Sequence, residues 1–120
     1  MRFVLLVAAL LFNSGASAKW VKFSDWSYVD WDSRKAIGFE QVALTTMTTY
    51  QEISSAQMFG LSEIEYLAFD CLKSRYKFNG SVWYSGRMAQ GRIEKKFGPN
   101  PNWGPIPGNY IRLFADACAR

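Results

Sequence analysis

The hydrophobic residues between Trp20 and Phe97 recur at every second position or in short unbroken runs, a pattern typical of β-strands. The clearest strand covers residues 41–50, where four threonines lie among hydrophobic neighbours and suit a pleated surface better than a helix. Five more strands are expected, at residues 20–23, 27–30, 63–71, 75–85 and 92–97. Between them we expect a polar turn at Asp32, Ser33 and Arg34, a loop over 51–62 and a hairpin connection at 72–74.

The dipeptide Asn79-Gly80 gives the segment 75–85 two interpretations. An Asn-Gly pair between two hydrophobic runs is the strongest short hairpin signal, and it would split the segment into two short strands. Alternatively, one long strand continues through a bulge or a kink at the glycine. The residues alone mildly favour the turn.

The carboxyl-terminal part of the chain changes its period. Residues 98–108 carry all four prolines, so they can form neither a helix nor an inner strand and are expected to be a connector. Hydrophobic residues after this connector recur at the spacing of one helix face: Tyr110, Leu113, Phe114, Ala117 and Cys118. Gly108 or Asn109 is expected to cap the start of this α-helix.

The first 18 residues have the order of a secretory signal: a positive start, an apolar stretch and small residues before a cut after Ala18. The apolar stretch falls short of the roughly 20 residues that a transmembrane anchor needs. Because Lys19 follows the cut, we expect no lipid-anchor cysteine. The mature domain would then cover residues 19–120, and the loss of Arg2 would lower the formal charge of +4 by one. We expect it to be periplasmic or extracellular, without a transmembrane segment.

Export would place the two cysteines, Cys71 and Cys118, in an oxidising compartment, where a lone pair most simply forms a disulfide. Cys71 ends a predicted strand and Cys118 lies on the apolar face of the helix, so the bond would pin the helix to the sheet. The chain-entropy model gives a loop of this size a stabilisation on the order of 4 kcal/mol. Strands first and a helix last indicate the α+β class.

Composition removes most catalytic chemistry. The sequence contains no histidine, which excludes Ser/His/Asp and Cys/His nucleophile pairs and ordinary zinc-finger sites. Glu63 and Glu65 would lie on one strand face roughly 7 Å apart, a spacing that inverting glycosidases use. We nevertheless expect a solvated strand face, since nothing nearby indicates a closed cleft. Asp30 and Asp32 are expected to serve turn chemistry rather than a calcium site. We therefore predict no catalytic residue, metal site or cofactor.

Two groups of residues are candidates for ligand binding. Aromatic residues make up 17% of the chain, and exposed ones are typical of recognition surfaces; the clustered tryptophans are Trp20, Trp26 and Trp31. The densest basic stretch comprises Arg87, Arg92, Lys95 and Lys96. Because Glu94 dilutes this charge, a solvated edge strand is favoured over nucleic-acid binding, and no nucleic-acid partner is expected.

Several motifs together resemble the surface-adhesin protein E family of secreted bacterial domains. They follow the order of that family over nearly the whole mature chain: Tyr28-Val29-Asp30 with Ser33, Phe69-Asp70-Cys71, Arg75-Tyr76, Tyr84-Ser85-Gly86, and Trp103-Gly104-Pro105-Ile106-Pro107 before the helix with Cys118. The resemblance implies an antiparallel sheet of about six strands with a carboxyl-terminal α-helix packed on one face and tethered by the disulfide. It also favours one continuous strand through Asn79-Gly80, because the family pattern runs through that point without a turn.

The name of this family refers to adhesion to host proteins. The resemblance therefore implies a non-enzymatic binding module, exported from a Gram-negative-type cell, that recognises a protein ligand such as a host matrix or plasma protein. The absence of an anchoring cysteine departs from a surface lipoprotein and leaves a periplasmic location equally open. The alternative function is that of a periplasmic inhibitor or envelope accessory protein similar to the small β-rich lysozyme inhibitors. A homodimer stays open.

Overall fold

Six antiparallel strands follow one another both along the chain and across the sheet in the computed structural model, which describes residues 19–120. The expected export signal at 1–18 lies outside the described residues. The strands are β1 (Trp20–Ser24), β2 (Ser27–Gly38), β3 (Gln41–Thr49), β4 (Ser62–Asp70), β5 (Arg75–Tyr84) and β6 (Ile93–Phe97). Strands β1 and β6 form the two edges of this sheet. Because each strand pairs with the strand that follows it in the chain, the sequence order and the spatial order coincide.

The carboxyl-terminal helix α1 (Ile111–Ala119) follows a single turn of 3-10 helix at Gly108–Tyr110. Its buried residues Leu113 and Ala117 pack on one face of the sheet, which we call the helix side. The core on that side consists of hydrophobic residues from three strands and the helical segment: Val29, Val42, Leu44, Leu67, Phe69, Tyr110, Leu113 and Ala117. The predicted cap by Gly108 or Asn109 is wrong, since Pro107 precedes the 3-10 turn and Tyr110 precedes α1. No side-chain hydrogen bond closes the start of either helical segment within residues 19–120.

The disulfide joins the end of the fourth strand to the helix. Cys71 follows directly on β4, Cys118 lies in the last turn of α1, and their Cα atoms are 5.7 Å apart. Both cysteines pack against the helix-side core. The predicted α+β class and the predicted tether are therefore confirmed.

Strand β2 is longer than the sequence pattern predicts. The turn expected at Asp32, Ser33 and Arg34 is wrong, because the strand continues through a bulge: Asp30 pairs with Thr45, and the next pair is Lys35 with Ala43. The Ser33 hydroxyl replaces the missing ladder bonds by accepting from the Thr45 N–H at 2.9 Å and donating to the Asp30 carbonyl. Polar turn residues thus bend a strand here without ending it.

The same bulge brings Arg34 to the end of helix α1. Its Nε donates to the Ala117 carbonyl at 2.8 Å, and its Nη2 donates to the Arg120 carbonyl at 2.9 Å. The last carbonyl groups of a helix have no partners within the helix, and the negative end of the helix dipole favours a cation. A side chain from the sheet therefore caps the helix.

Strand β5 is continuous through Asn79-Gly80, as the family resemblance predicts and the local hairpin signal does not. Glu65 pairs with Ser81 whereas Leu67 pairs with Phe78, so one extra residue is accommodated on β5. Gly80 has φ +114°, and a Cβ there would approach the Phe97 carbonyl oxygen of β6 to 3.0 Å. The glycine permits a bulge at the point where the pairing with β6 ends.

The connector at 98–107 continues the pairing of β5 beyond the end of β6. Gly104 exchanges two backbone hydrogen bonds with Tyr76, at 2.8 and 2.9 Å, and the Asn100 N–H donates to the Phe78 carbonyl. The expected absence of helix and inner strand is confirmed for residues 98–107, whereas Gly108, the last residue of the predicted connector, begins the 3-10 helix. Its course matters because it places the residues before α1 beside Tyr76.

Candidate functional site

The three tryptophans predicted for ligand binding lie near one edge of the sheet, in three different surroundings. Trp20 begins β1 and pairs with Asp30. Trp26 lies in the turn between β1 and β2, with 45% of its surface exposed. Trp31 of β2 packs against the helix-side core, and the Arg120 guanidinium lies over its ring, 3.7 Å from the ring centre. Their role in binding stays a prediction.

The four predicted basic residues lie at the other edge, with Arg87 and Arg92 in the loop between β5 and β6 and Lys95 and Lys96 in β6. Arg92 forms an ion pair with Glu94 at 2.8 Å, and Lys95 Nζ lies 5.4 Å from the ring centre of Phe97. The prediction of an exposed edge strand is confirmed, since every residue of β6 is exposed. The structure does not bring the basic residues and the tryptophans together, because β1 and β6 are opposite edges. Binding by the basic residues also stays a prediction.

A cleft of about 400 Å³ opens on the helix side of the sheet, at the end where β4 begins. We call it the carboxylate cleft, because Glu63 and Glu65 of β4 lie in it. Its other main contributors come from the β1–β2 turn, the end of β3, strand β5 and the segment before α1: Trp26, Thr48, Tyr50, Tyr76, Asn109 and Tyr110. A larger groove of about 510 Å³ runs between β1 and α1, but Asp116 is the one acidic side chain among the residues that line it.

Two tyrosine hydroxyls hold Glu65 in place. Tyr110 donates to Glu65 Oε1 at 2.7 Å and Tyr76 donates to the same oxygen at 3.0 Å. The Tyr110 oxygen also lies 3.2 Å from Thr46 Oγ1. Burial raises the pKa of Glu65, while the hydrogen bonds from Tyr110 and Tyr76 oppose that rise. Burial and the nearby Glu65 carboxylate raise the pKa of both tyrosines, so the phenols remain neutral donors.

Glu63 is the carboxylate whose pKa is raised into the neutral range. Burial raises its pKa from 4.5 to about 7, and the charge of Glu65 adds to this rise. The Ser81 hydroxyl makes no hydrogen bond of ordinary geometry, yet its nearness to Glu63 offsets part of the rise. Tyr50, at the rim, has its pKa raised by burial and by the charge of Glu63. Near neutral pH, Glu63 therefore changes its charge with small changes in its surroundings.

The prediction that Glu63 and Glu65 lie on a solvated strand face is wrong. Both are half-buried in the carboxylate cleft. The sequence did contain a signal for this position, because residues two apart on a strand share a face and Glu65 is two residues from Leu67. Leu67 is a core residue of the helix side. The partners Tyr76 and Tyr110 were missed because they come from β5 and from the segment before α1, and only the pairing of β5 and the docking of that segment bring them to Glu65.

The cleft offers one fixed carboxylate, one carboxylate of variable charge, several phenol hydroxyls and an exposed tryptophan at its rim. This set is suited to holding a polar or cationic group beside aromatic rings. In the part of the chain that the structure describes, no three His, Cys, Asp or Glu side chains are grouped so that they could hold a metal ion. No helix within residues 19–120 is both long and apolar enough to cross a membrane.

The family model described as "Surface-adhesin protein E" matches residues 20–119 of this chain. The chain belongs to the surface-adhesin protein E family. This match covers all six strands, both cysteines and the helix, and it confirms the resemblance drawn from the motifs. No curated protein sequence matches the chain.

Solved structures of Haemophilus influenzae protein E have a similar fold. One matches with a TM-score of 0.59 at 12% sequence identity and covers 86% of each chain. Its selenomethionine form matches with a TM-score of 0.59 at 14% identity, covering 87% of this chain and 88% of that one. A second crystal form matches with a TM-score of 0.56 at 14% identity, covering 86% of this chain and 89% of that one. At these identities the likeness concerns the fold alone.

Proposed function

We propose that this protein is a non-enzymatic, adhesin-like module that binds a protein ligand outside the cytoplasm. The observation that carries the proposal is the family match over residues 20–119. Host matrix and plasma proteins are the ligand class that we propose. The secretory pattern of residues 1–18 supports export, with removal of that segment after Ala18.

We propose that the ligand is bound at the β1 edge, around the carboxylate cleft. Trp26 supports this choice, since it is a half-exposed tryptophan at the rim of a cleft that also holds two carboxylates. Trp20 and Trp31 extend the same edge, and aromatic residues of this kind contribute most of the binding energy in many interfaces. The basic residues at the β6 edge form a second, separate candidate surface.

Binding rather than catalysis is our proposal for the two glutamates. An inverting glycosidase uses one carboxyl group with a raised pKa as the acid and a second, free carboxylate to activate a water molecule, so Glu63 would be the acid and Glu65 would have to be the base. Glu65 is restrained by two tyrosine hydroxyls on one of its oxygens, which suits a fixed binding group better than a base. Family membership points the same way.

The proposal is tested with the purified exported protein on a panel of immobilised matrix and plasma proteins, with a lysozyme included. We expect saturable binding to at least one matrix or plasma protein, and we expect Trp26→Ala to weaken it at least fivefold. Leu72→Ala is the matched control, because Leu72 is exposed in the β4–β5 turn, away from the cleft. Inhibition of the lysozyme without binding to the other panel proteins would overturn the adhesin-like proposal and favour a periplasmic inhibitor.

The location is tested by cell fractionation and by antibody labelling of intact cells. Labelling of intact cells supports display on the surface. Recovery in the periplasm alone, with intact cells unlabelled, would contradict adhesion to a host protein. Size-exclusion chromatography with light scattering measures whether the protein also forms a homodimer, the oligomeric state that we propose beside the monomer.

A further inference from the structure

The carboxylate cleft carries negative charge that the described residues do not neutralise. Its lining includes Glu63 and Glu65 but no lysine or arginine. The ion pairs found within residues 19–120 lie elsewhere, between Arg75 and Asp70 and between Arg92 and Glu94. Half-buried carboxylates without a cation are costly, since burial penalises the charged form. The cleft therefore lacks the group that would best complement it.

A buried hydroxyl beside Glu63 points to the same missing group. Ser81 is 2% exposed and lies opposite Glu65 in the pairing of β4 with β5, so its side chain is on the face that carries both carboxylates. Its Oγ makes no hydrogen bond of ordinary geometry within residues 19–120, which is rare for a buried polar atom. Its nearness to Glu63 favours the charged form of that carboxylate. Ser81 thus supports a charged Glu63 and does not itself neutralise that charge.

Aromatic rings surround the two carboxylates. Tyr50 and Tyr76 line the cleft, and Trp26 lies half-exposed at its rim. The face of an aromatic ring attracts a cation, tryptophan most strongly, and the attraction grows where water is partly excluded. Carboxylates and aromatic faces together select a positively charged head group with an apolar stem. An anionic or purely apolar ligand would leave the carboxylates uncompensated.

We propose that the carboxylate cleft binds the cationic head group of a lysine or arginine side chain presented by the protein ligand, with Glu63 as the pairing carboxylate and Trp26 against the side-chain stem. This inference rests on the proposed function in one respect, namely that a protein presents the cation. Glu65 is already held by Tyr76 and Tyr110, so it acts as a fixed second charge. Glu63 is the carboxylate left free to pair.

The affinity of the cleft for a cation depends on pH. The groups that face Glu63 are Glu65, Tyr50, Tyr76 and the Ser81 hydroxyl. The tyrosines stay neutral below pH 9, because burial raises their pKa values from 10.0. The pKa of Glu63 near 7 therefore dominates the response between pH 5.5 and 8. Binding should weaken as the pH falls through this range, since protonation removes the pairing charge.

Isothermal titration with blocked peptides tests the inference. The probes are a peptide with one lysine, the same peptide with arginine, and the same peptide with Nε-acetyl-lysine, which keeps the stem but loses the charge. At pH 8 we expect the lysine or the arginine peptide to bind at least tenfold more tightly than the acetylated one. We expect at least fivefold weaker binding at pH 5.5. The stronger of the two cationic peptides identifies the head group.

Glu63→Gln is the decisive variant, because it removes the charge and keeps the shape. We expect it to weaken binding of the cationic peptide at least tenfold and to leave binding of the acetylated peptide unchanged. Glu94→Gln, on the exposed β6 edge, is the matched control and should bind like the wild type. Near-ultraviolet circular dichroism checks that both variants are folded. Equal binding of charged and acetylated peptides, no binding of either cationic peptide at millimolar concentration, or no effect of Glu63→Gln would overturn the inference.

The same variant separates this inference from the proposed function. If a panel protein binds the wild type and Glu63→Gln equally, the cleft inference fails and adhesin-like binding stands. If the cationic peptides bind as expected and no panel protein does, the cleft is a cation site and the proposed protein ligand is wrong.

Discussion

The Tyr110 hydroxyl donates a 2.7 Å hydrogen bond to Glu65 Oε1 and so joins the residue before helix α1 to the middle of strand β4. Tyr110 is buried and its ring also packs against Tyr76, whose hydroxyl shares the same acceptor oxygen. One carboxylate therefore organises the start of the helix and one wall of the cleft. Stability and the shape of the site depend on the same bond.

Removing this hydroxyl should destabilise the domain. Tyr110→Phe keeps the ring and deletes the donor, and a hydrogen bond to a charged group contributes about 1.5–3 kcal/mol. We expect the free energy of unfolding at pH 8 to fall by about 2 kcal/mol in urea titrations. We also expect the pKa of Glu65, followed by NMR, to rise, because one of the bonds that favours its charged form is lost. Tyr66→Phe, at an exposed position, is the control. An unchanged free energy of unfolding would show that the hydrogen bond from Tyr110 to Glu65 does not stabilise the domain.

Glu63 should make the protein less stable as the pH rises from 5 to 8. Burial raises its pKa from 4.5 to about 7, so in this window the folded state binds more protons than the unfolded state. The free energy of unfolding then falls with rising pH, and the contribution is complete below pH 4.5 and lost above pH 7. A pKa difference is equivalent to about 1.4 kcal/mol per unit, and partial exposure of Glu63 reduces the expected loss to about 2 kcal/mol.

The variant Glu63→Gln tests this linkage because a glutamine does not titrate. Between pH 5 and pH 8 we expect the free energy of unfolding of the variant to fall by about 2 kcal/mol less than that of the wild type. The variant should therefore be more stable than the wild type at pH 8 but not at pH 5. Urea titrations at both pH values measure the difference. Glu52→Gln, on the exposed loop between β3 and β4, should leave the pH dependence as it is. A variant with the same slope as the wild type would show that Glu63 is not the group responsible.

Local patterns predicted the elements well where one force dominated. The alternation in 41–49 and the helical spacing of Leu113 and Ala117 each reflect burial of one face, and both elements form as expected. The turn predicted at residues 32–34 failed because Ser33 and Arg34 find partners on β3 and α1, far away in the sequence. Turn residues signal a local bend, and only tertiary contacts decide whether the strand resumes after it.

The site was less predictable than the fold for the same reason. Alternation alone placed Glu65 on the face of Leu67, yet its charge suggested solvent. The hydrogen bonds that hold its carboxylate come from Tyr76 and Tyr110, which are 11 and 45 residues further along the chain. Their approach depends on the pairing of β5 with β4 and on the docked helical segment, neither of which a single strand pattern contains. Buried polar networks of this kind are where pattern reasoning from one segment fails.

The cap that Arg34 provides should be measurable in the helix. Arg34→Gln leaves the Ala117 and Arg120 carbonyls without their guanidinium donor, and we expect the free energy of unfolding to fall by about 1–2 kcal/mol. Arg34→Lys keeps the charge but not the forked geometry, so we expect an intermediate loss. Hydrogen exchange should increase first in the last turn of α1. Lys35→Gln, at the neighbouring exposed position, is the control, and equal effects at positions 34 and 35 would contradict a specific cap.

The disulfide between Cys71 and Cys118 should account for a large share of the total stability. It closes a loop with a sequence separation of 47, for which the chain-entropy model gives about 4 kcal/mol. The double variant Cys71→Ser/Cys118→Ser should therefore unfold at a much lower urea concentration than the wild type. A reductant should lower the urea midpoint of the wild type and leave that of the variant unchanged. Because Tyr110, Leu113 and Arg34 still hold α1 by packing and hydrogen bonds, we expect the variant to retain its β-sheet signal in circular dichroism at low temperature. Loss of less than about 1 kcal/mol would mean that these contacts already restrain the helix and that the bond adds little to them.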